Sequence, residues 1–304
     1  MASKLHKLVL VPYLLLALSS LFWAGNFIVG RALHEVIQPL ELNFWRWSFA
    51  LLILMGMNIH NLTGWFGLKK FWRYQLALAL TGIVAFHSSV YVALQTSQAV
   101  NALLFLSLSP IIIVLGSWLL YRDRINLMQI AGIFISLAGV LILLSQGSIS
   151  TIMTLQVNIG DVWMLFATIM WSIYSILLKQ RPTELSQISL LTGSVLSAVV
   201  ILFFLVWLEP DSSFSLDFNP DVILGIVYVG IFASVLAFLF WNYGVIKLGP
   251  NRAGVFLHLM PLFGAVLSIN ILHESIEIYH MLGALFIFSG IAVSSRHGQI
   301  QDAR

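Results

Sequence analysis

The chain has 304 residues, of which 60% are hydrophobic and only 9% are charged, whereas a soluble domain carries roughly 25% charged residues. A water-soluble fold could not bury this much apolar surface in one core, so the composition predicts an all-α integral membrane protein. The net charge of +3 is too small to indicate a nucleic-acid partner, and the absence of cysteine excludes disulfides, thiol catalysis and Cys-ligated metals.

Apolar runs of about 20 residues, long enough to cross a bilayer, recur along the chain. The first run follows a short basic N-terminus with no convincing cleavage site, so it is interpreted as a retained helix and not a signal peptide. The ten predicted transmembrane helices, in chain order, cover residues 8–29, 42–59, 75–95, 99–120, 127–145, 159–179, 187–208, 222–245, 253–272 and 278–295.

The loops between these helices alternate in charge. Thirteen Lys and Arg residues fall on the side of the N-terminus, and only Arg31 falls on the other, with Arg46 inside the second helix. Because cytoplasmic loops carry the excess of basic residues, the pattern predicts cytoplasmic N- and C-termini in a multi-pass protein of the cell (inner) membrane.

An internal repeat is visible when the chain is aligned with itself. Proline and glycine positions in the later part of each half coincide at an offset of 151 residues, and earlier positions coincide at 148, which implies a three-residue difference between the third and eighth helices. Five helices per half place the second half upside down, so the sequence predicts two inverted repeats, 8–145 and 159–295, with a substrate site near the midplane. Duplication without a transport role is the alternative. The coinciding pairs are Pro110 and Pro261, Gly132 and Gly283, Gly139 and Gly290, Trp23 and Trp171, Arg31 and Lys179, and Gly82 and Gly230.

The order of these residues resembles that of a known family. In the first half the order is Trp23-Ala-Gly-Asn26-Phe27, then Ala102, Pro110, Asp123, Gly132 and Gly139, and in the second it is Gly160-Asp161, Trp171, Tyr174, Lys179, Ala253, Pro261, Glu274, Gly283 and Gly290. Over essentially its whole length the chain resembles an EamA-type carrier of the drug/metabolite transporter superfamily, although Asp123 stands where that family usually has glutamate. The resemblance implies a secondary transporter that exports amino acids or similar compounds by alternating access.

Polar and aromatic residues deep in the predicted helices are the candidate substrate-binding groups. His87 lies about twelve residues into the third helix, or roughly 18 Å deep, and Trp171 lies equally deep in the sixth. Tyr91 shares the helix face of His87, and Tyr174 shares that of Trp171. The alternative for His87 is a buried histidine that packs between helices and bonds to a backbone carbonyl, but ionisable side chains inside a membrane indicate function more often than packing. The weaker candidates are Trp23, Asn26 and His258.

Other residues of the predicted helices are given structural roles. The paired prolines are expected to kink their helices, the paired glycines to allow close helix contact, and Asp123 and Glu274 to stabilise helix starts. Asn101 and Trp241 are interpreted as interfacial. Arg46 has two interpretations: it meets an anionic substrate group, or it pairs with Glu41 while its stem reaches outward, and the second is favoured.

The sequence also disfavours several functions. No Asp or Glu lies deep in a predicted helix, so proton coupling would need His87 or His258, and otherwise the protein is a facilitator or an exchanger. Walker A, HExxH and GxSxG sequences are absent, so neither an ATP-driven pump nor a membrane hydrolase is predicted. The sequence therefore predicts no enzyme, no cofactor and no metal, a small-molecule substrate, membrane lipid as surroundings and no obligate protein partner. The rival hypothesis is a membrane enzyme or receptor on a similar helical scaffold.

Overall fold

A computed structural model describes residues 2–59, 69–124, 126–148, 150–151, 158–209, 214, 219–272 and 276–295. Within these ranges the chain is mainly helical, with short turns and loops between the helices, and has no β-strand, as the composition predicts. In chain order the helices are α1 (Ala2–Ala32), α2 (Pro39–Asn58), α3 (Trp72–Leu78, Ala79–Ala85 and Phe86–Thr96), α4 (Ala99–Leu106 and Ser109–Tyr121), α5 (Leu127–Leu144), α6 (Ile159–Leu177), α7 (Gln187–Leu208), α8 (Pro220–Tyr228, Val229–Leu236 and Ala237–Leu248), α9 (Pro250–Gly254, Val255–His258 and Leu259–Leu272) and α10 (Ile278–Ser295).

Eight of the described helices are long and apolar enough to cross a membrane. The predicted spans 42–59 and 253–272 also fall on helices, α2 and α9, but these are not among the eight. Large apolar side chains are exposed around the bundle, as a lipid-facing surface requires. Examples are Leu52, Leu127, Leu208, Ile278 and Met281. A helical, multi-pass membrane protein is therefore confirmed, and the count of ten spans stays a prediction.

Helix starts in the two halves recur at the offsets of the sequence repeat. Pro39 and Gln187, which open α2 and α7, are 148 residues apart, whereas Leu127 and Ile278, which open α5 and α10, are 151 apart. The change of offset has a structural origin, because α3 extends over 25 residues and α8 over 29. Both helices contain a π-helical segment at their centre, Ala79–Ala85 in α3 and Val229–Leu236 in α8.

The two halves contact each other through pairs of helices that are equivalent under the repeat. α1 packs on α8 and α3 packs on α6, so the first helix of each half contacts the third helix of the other. α2 packs on α7, and α5 on α10. Every one of these pairs joins the two halves, which places the core of the bundle between them.

The contact between α5 and α10 depends on four glycines. A Cβ on Gly132 would lie 2.5 Å from the carbonyl oxygen of Gly290, and a Cβ on Gly139 would lie 2.7 Å from that of Gly283. The glycines pair crosswise, as in a two-fold interface where residue i of one side meets residue j of the other. The predicted packing role of these small residues is confirmed.

The two prolines follow breaks in their helices and do not bend continuous ones. Pro110 lies in the first turn of Ser109–Tyr121, and Pro261 in the first turn of Leu259–Leu272, after the 3₁₀ segment Val255–His258. In a first turn the missing N–H removes no intrahelical bond. The predicted mid-helix kink is therefore corrected to an interruption on the N-terminal side of each proline.

Candidate functional site

An aromatic cluster lies where α1, α3, α6 and α8 meet. The ring centroids of Trp23 and Trp171 are 4.8 Å apart, with the rings edge to face. Tyr174 stacks on Trp171 at 5.2 Å, and Trp241 lies 5.4 Å from Trp171. Edge-to-face and offset stacking both add stabilisation to simple burial. Trp241 is fully buried in this cluster, so its prediction as an interfacial residue is wrong.

A small closed cavity adjoins the cluster. Its volume is about 10 Å³, roughly the space of one water molecule. Four of the predicted site residues line it, namely Trp23, Asn26, His87 and Trp171, together with the apolar side chains of Phe27, Phe86, Val90, Leu106, Leu257 and Met260. Both halves contribute to this wall, so a solute could enter only if the halves moved apart.

Asn26 is held by two donors behind the cavity wall. Its Oδ1 accepts a hydrogen bond of 2.9 Å from Arg46 Nη1 and another of 2.9 Å from the Tyr91 hydroxyl. Because the amide oxygen is fully used there, the amide orientation is assigned with Nδ2 as the donor left for the cavity. Tyr91 thus acts on the cavity through Asn26 and is not itself part of the lining.

Arg46 is completely buried. Its Nε donates to Ser234 Oγ at 2.9 Å, and its Nη1 also donates to the Tyr91 hydroxyl at 2.6 Å. Glu41 forms a different bond, accepting from the Phe214 backbone N–H at 3.1 Å. The predicted Glu41 pair with an outward stem is therefore wrong, because the guanidinium points into the bundle.

The second half contains a counterpart of the Asn26–Tyr91 hydrogen bond. The Tyr174 hydroxyl donates to Asn242 Oδ1 at 2.8 Å. Tyr174 follows Asn26 by 148 residues, and Asn242 follows Tyr91 by 151, so each half places one Asn–Tyr pair at equivalent positions with the partners exchanged. Sequence reasoning missed Asn242, although the offset of 151 already showed that it is the repeat equivalent of Tyr91.

His87 is buried and lines the cavity. Its ring packs against Phe86 at 4.7 Å, Trp47 at 5.5 Å and Phe238 at 5.7 Å. Neither ring nitrogen bonds to a side chain among the described residues, and no bond of good geometry forms to the backbone, although the backbone of Gly82 and Ile83 in its own helix is close enough to interact with the ring. The imidazole therefore keeps hydrogen-bonding capacity for a ligand or water in the cavity.

His258 is used differently. Its Nε2 is 2.8 Å from the Ser107 carbonyl oxygen, and its Nδ1 is 2.6 Å from Ser136 Oγ. A carbonyl only accepts, so Nε2 carries the proton. The ring satisfies a carbonyl at the break in α4, which leaves neither nitrogen for a substrate. Of the seven predicted residues the structure brings six together, and His258 supports the helices beside them.

The π-helical segments supply polar groups to the site. A π-bulge disturbs the regular backbone ladder and is frequent at functional sites. In Val229–Leu236 the carbonyl of Ala233 accepts from Trp23 Nε1 at 3.0 Å, and Ser234 holds Arg46. In Ala79–Ala85 a Cβ on Gly82 would lie 2.6 Å from Cγ of Tyr174. Sequence reasoning missed both segments, and the unequal offsets were the only signal.

Two further features lie on opposite sides of the cavity along α1 and α6. A crevice of about 270 Å³ shares Phe27 with the cavity, and its wall includes Val100, Gln146 and Tyr279 at helix ends. Past the other end of α6, Lys179 Nζ is 2.5 Å from an Asp123 carboxylate oxygen. Asp123 thus has a structural role, as predicted, but its partner is Lys179. The cap of α5 is Asn126, whose side-chain oxygen accepts from the Met128 backbone N–H. Glu274 lies outside the described residues.

The remaining polar prediction concerns Asn101. Its Nδ2 is 3.5 Å from Asp161, which also accepts from Ser97 Oγ at 2.5 Å. Asp161 forms a capping box with Asn158 at the start of α6. Asn101 is buried in this group, so its interfacial interpretation is replaced by a role in fixing a helix start.

Fold and site together define a multi-pass helical membrane protein with a small, buried and mainly apolar cavity, lined by aromatic side chains, between two halves. The EamA-like transporter family matches residues 10–145 and again residues 158–296. The chain therefore belongs to the EamA-like transporter family.

Relatives of known sequence agree with this assignment. An uncharacterized transporter of Archaeoglobus fulgidus is 27% identical over 294 residues, covering 93% of this chain and 96% of the relative. The Bacillus subtilis uncharacterized transporter YyaM is 26% identical over 294 residues, covering 93% of both chains. One crystal structure aligns with a TM-score of 0.78 at 18% identity, covering 96% of this chain and 98% of that one. At that identity the likeness shows the fold alone.

Proposed function

We propose that this transporter is a secondary carrier that exports amino acids or similar small metabolites by alternating access. The observation that carries the proposal is the closed cavity, whose wall comes from both halves of the bundle. Substrate sites of such carriers lie near the midplane at the interface of the repeats.

The proposal includes the membrane topology. Residues 8–145 and 159–295 form two inverted repeats of five spans each, and both termini face the cytoplasm. The recurring helix starts, the crosswise glycine contacts and the thirteen-to-one distribution of loop Lys and Arg support this arrangement.

In this orientation the conformation described here is closed to the cytoplasm. The crevice of about 270 Å³ opens to the outside as far as Phe27, while the Lys179–Asp123 ion pair lies on the cytoplasmic side. A cavity of about 10 Å³ is too small for an amino acid, so we interpret this state as one adopted after release.

The site chemistry suits a zwitterion with an apolar part. Indole and phenyl rings cover apolar surface, while imidazole and amide groups orient polar groups. The proposed binding residues are His87, Trp171, Trp23 and Asn26, which line the cavity. Tyr91 and Tyr174 hold them from behind, and His258 supports the helices beside them. No carboxylate is among the residues that line the cavity, so proton coupling would use His87, and otherwise the carrier is a facilitator or an exchanger.

Flux measurements on the purified protein test this function. Proteoliposomes should exchange at least one radiolabelled amino acid or related metabolite faster than protein-free liposomes, and the solute should be recovered unchanged. Recovery of a chemically altered solute would favour a membrane enzyme, and binding without flux would favour a receptor.

The topology has its own test, because the natural chain contains no cysteine. A Glu35→Cys variant should react with a membrane-impermeant maleimide in intact cells. A Lys70→Cys variant, at another exposed position, should react only after the cells are permeabilised. The reverse pattern would overturn the proposed orientation.

A further inference from the structure

Arg46 presents an electrostatic problem that its neighbours do not solve. The side chain is fully buried, and none of the ion pairs among the described residues includes it. Its guanidinium lies 5.2 Å from the Trp47 ring centroid and 5.8 Å from that of Tyr91, which helps to stabilise a cation. A buried charge without a counter-ion is costly, and in a membrane such a residue indicates a substrate path.

The guanidinium also has an unused donor. Nε and Nη1 are occupied by Ser234, Asn26 and Tyr91, whereas Nη2 has no hydrogen-bond partner among the described residues. Asn26, whose Oδ1 accepts from Nη1, lines the cavity. The guanidinium therefore lies one residue behind the cavity wall, with Asn26 between its charge and the cavity.

The equivalent position in the second half shows that the cation is not needed to build the local fold. At the offset of 148 the counterpart of Arg46 is Ser194, whose hydroxyl donates to the Leu190 carbonyl of its own helix. The Tyr174–Asn242 pair forms without a guanidinium. Arg46 is thus an addition to the repeat, and its charge has no ion-pair partner among the described residues.

We propose that Arg46 is the anchor for a single negatively charged group of the substrate, a carboxylate, which accepts from Asn26 Nδ2 and, as the halves part, from Arg46 Nη2. This inference rests on the proposed function and narrows it to solutes that carry a carboxylate. One guanidinium balances one negative charge, so monocarboxylates and zwitterions fit, whereas free amines and amides do not. Charge-assisted hydrogen bonds are roughly twice as strong as neutral ones, which gives the anchor its selectivity.

Matched solutes in proteoliposomes test the anchor. The probes are L-leucine, L-phenylalanine and L-threonine, each with its amide, which retains the amino group but lacks the carboxylate, and with its deaminated acid. The wild type should carry the acids at least ~10-fold faster than the amides. Amides carried as fast as acids would overturn the anchor and leave the carrier function standing. No flux of any probe, or of a wider metabolite panel, would overturn both.

Two variants separate an anchor from a structural arginine. Removing Arg46 strands no counter-ion among the described residues, and Asn26, Tyr91 and Ser234 keep other hydrogen bonds, so Arg46→Met should melt near the wild type yet lose the preference for acids over amides. Arg46→Lys keeps the charge and should retain part of the preference. If Arg46→Met melts far below the wild type, its flux is not informative and Arg46→Lys becomes the test. Acid flux and amide flux that fall by the same factor in Arg46→Lys would contradict the anchor.

Discussion

The two halves of the bundle have similar frameworks and different polar centres. Both halves place an Asn–Tyr hydrogen bond at equivalent positions of the repeat, Asn26 with Tyr91 and Tyr174 with Asn242. Only the first pair is joined to a buried cation, and only its asparagine lines the cavity. We expect the polar features confined to one half, the cation and the asparagine in the cavity wall, to select the substrate. Features shared by the halves, such as the Trp23–Trp171 pair and the helix contacts, form the common framework of the path.

The strongest test of the shared framework is the glycine contact between α5 and α10. Gly132→Val would place side-chain atoms against backbone atoms of Gly290 and Ser294, which cannot move aside cheaply. Overpacking of this kind costs about 1–3 kcal/mol or more, so we expect a large loss of folded, monodisperse protein in detergent. Gly56→Ala is the matched control, because a Cβ there meets nothing within 4 Å. Equal melting temperatures for both variants would show that α5 and α10 are loosely packed.

The two buried histidines sharpen the distinction between binding and support. We expect His87→Ala to lower flux per folded molecule at least ~10-fold, a larger loss than the stability cost of removing a ring that packs against Phe86, Trp47 and Phe238 explains. Loss of His258 should act on stability alone, by about 1–3 kcal/mol, since the Ser107 carbonyl would lose its donor.

A glutamine at position 87 then separates two mechanisms. His87→Gln retains a donor and an acceptor but cannot titrate. Retained flux would identify His87 as a binding group. Flux as low as in the Ala variant, together with wild-type flux that follows an imposed pH gradient, would identify a proton carrier. Normal flux in His87→Ala would place the site elsewhere.

Asn26 and Asn242 test the same difference between the halves, and the expected effects of replacing them are smaller. Asn26→Ala and Asn242→Ala each leave a buried tyrosine hydroxyl without its acceptor, and each should cost about 1–3 kcal/mol of stability. Only Asn26→Ala should also raise the KM for transport, because Asn26 alone lines the cavity. A similar change of KM in both variants would mean that the second pair also contacts the substrate.

The smallest effect is expected at the ion pair on the proposed cytoplasmic side. Lys179 and Asp123 are partly exposed, and exposed pairs contribute about 0–1 kcal/mol. Lys179→Gln should therefore lower the melting temperature only slightly, and 1 M salt should have little further effect on the variant. A large drop in melting temperature would show that this pair is a main contact between the halves.

Sequence reasoning predicted the helical scaffold well because its signals are local. Apolar run length, loop charge and the repeated Gly and Pro positions each depend on a few neighbouring residues. The aromatic centre was also accessible, since depth along a helix placed His87 and Trp171 at one level. The predictions that failed were those of which side chains contact each other. Arg46 was assigned to Glu41, its neighbour in sequence, whereas its partners Asn26, Tyr91 and Ser234 come from three other helices.

The other wrong or absent predictions also concern packing between segments that are distant in the sequence. A π-helical turn has no clear residue signature, so the segments that hold Ser234 and accommodate Tyr174 left only the unequal repeat offsets as a trace in the sequence. Trp241 was placed at an interface because its position near a helix end outweighed its packing. His258 was selected for its depth, which does not reveal that its two ring nitrogens already have partners.

The central claim is that a solute crosses through the cavity between Trp23 and Trp171. Its most direct test is the exchange flux of Trp171→Ala in proteoliposomes, normalised to the amount of folded protein, beside Trp207→Ala, which removes an exposed indole at the end of α7. We expect flux to fall at least ~10-fold in Trp171→Ala, as aromatic anchors at binding sites typically show, and to stay near the wild type in Trp207→Ala. Undiminished flux through well-folded Trp171→Ala protein would contradict the account.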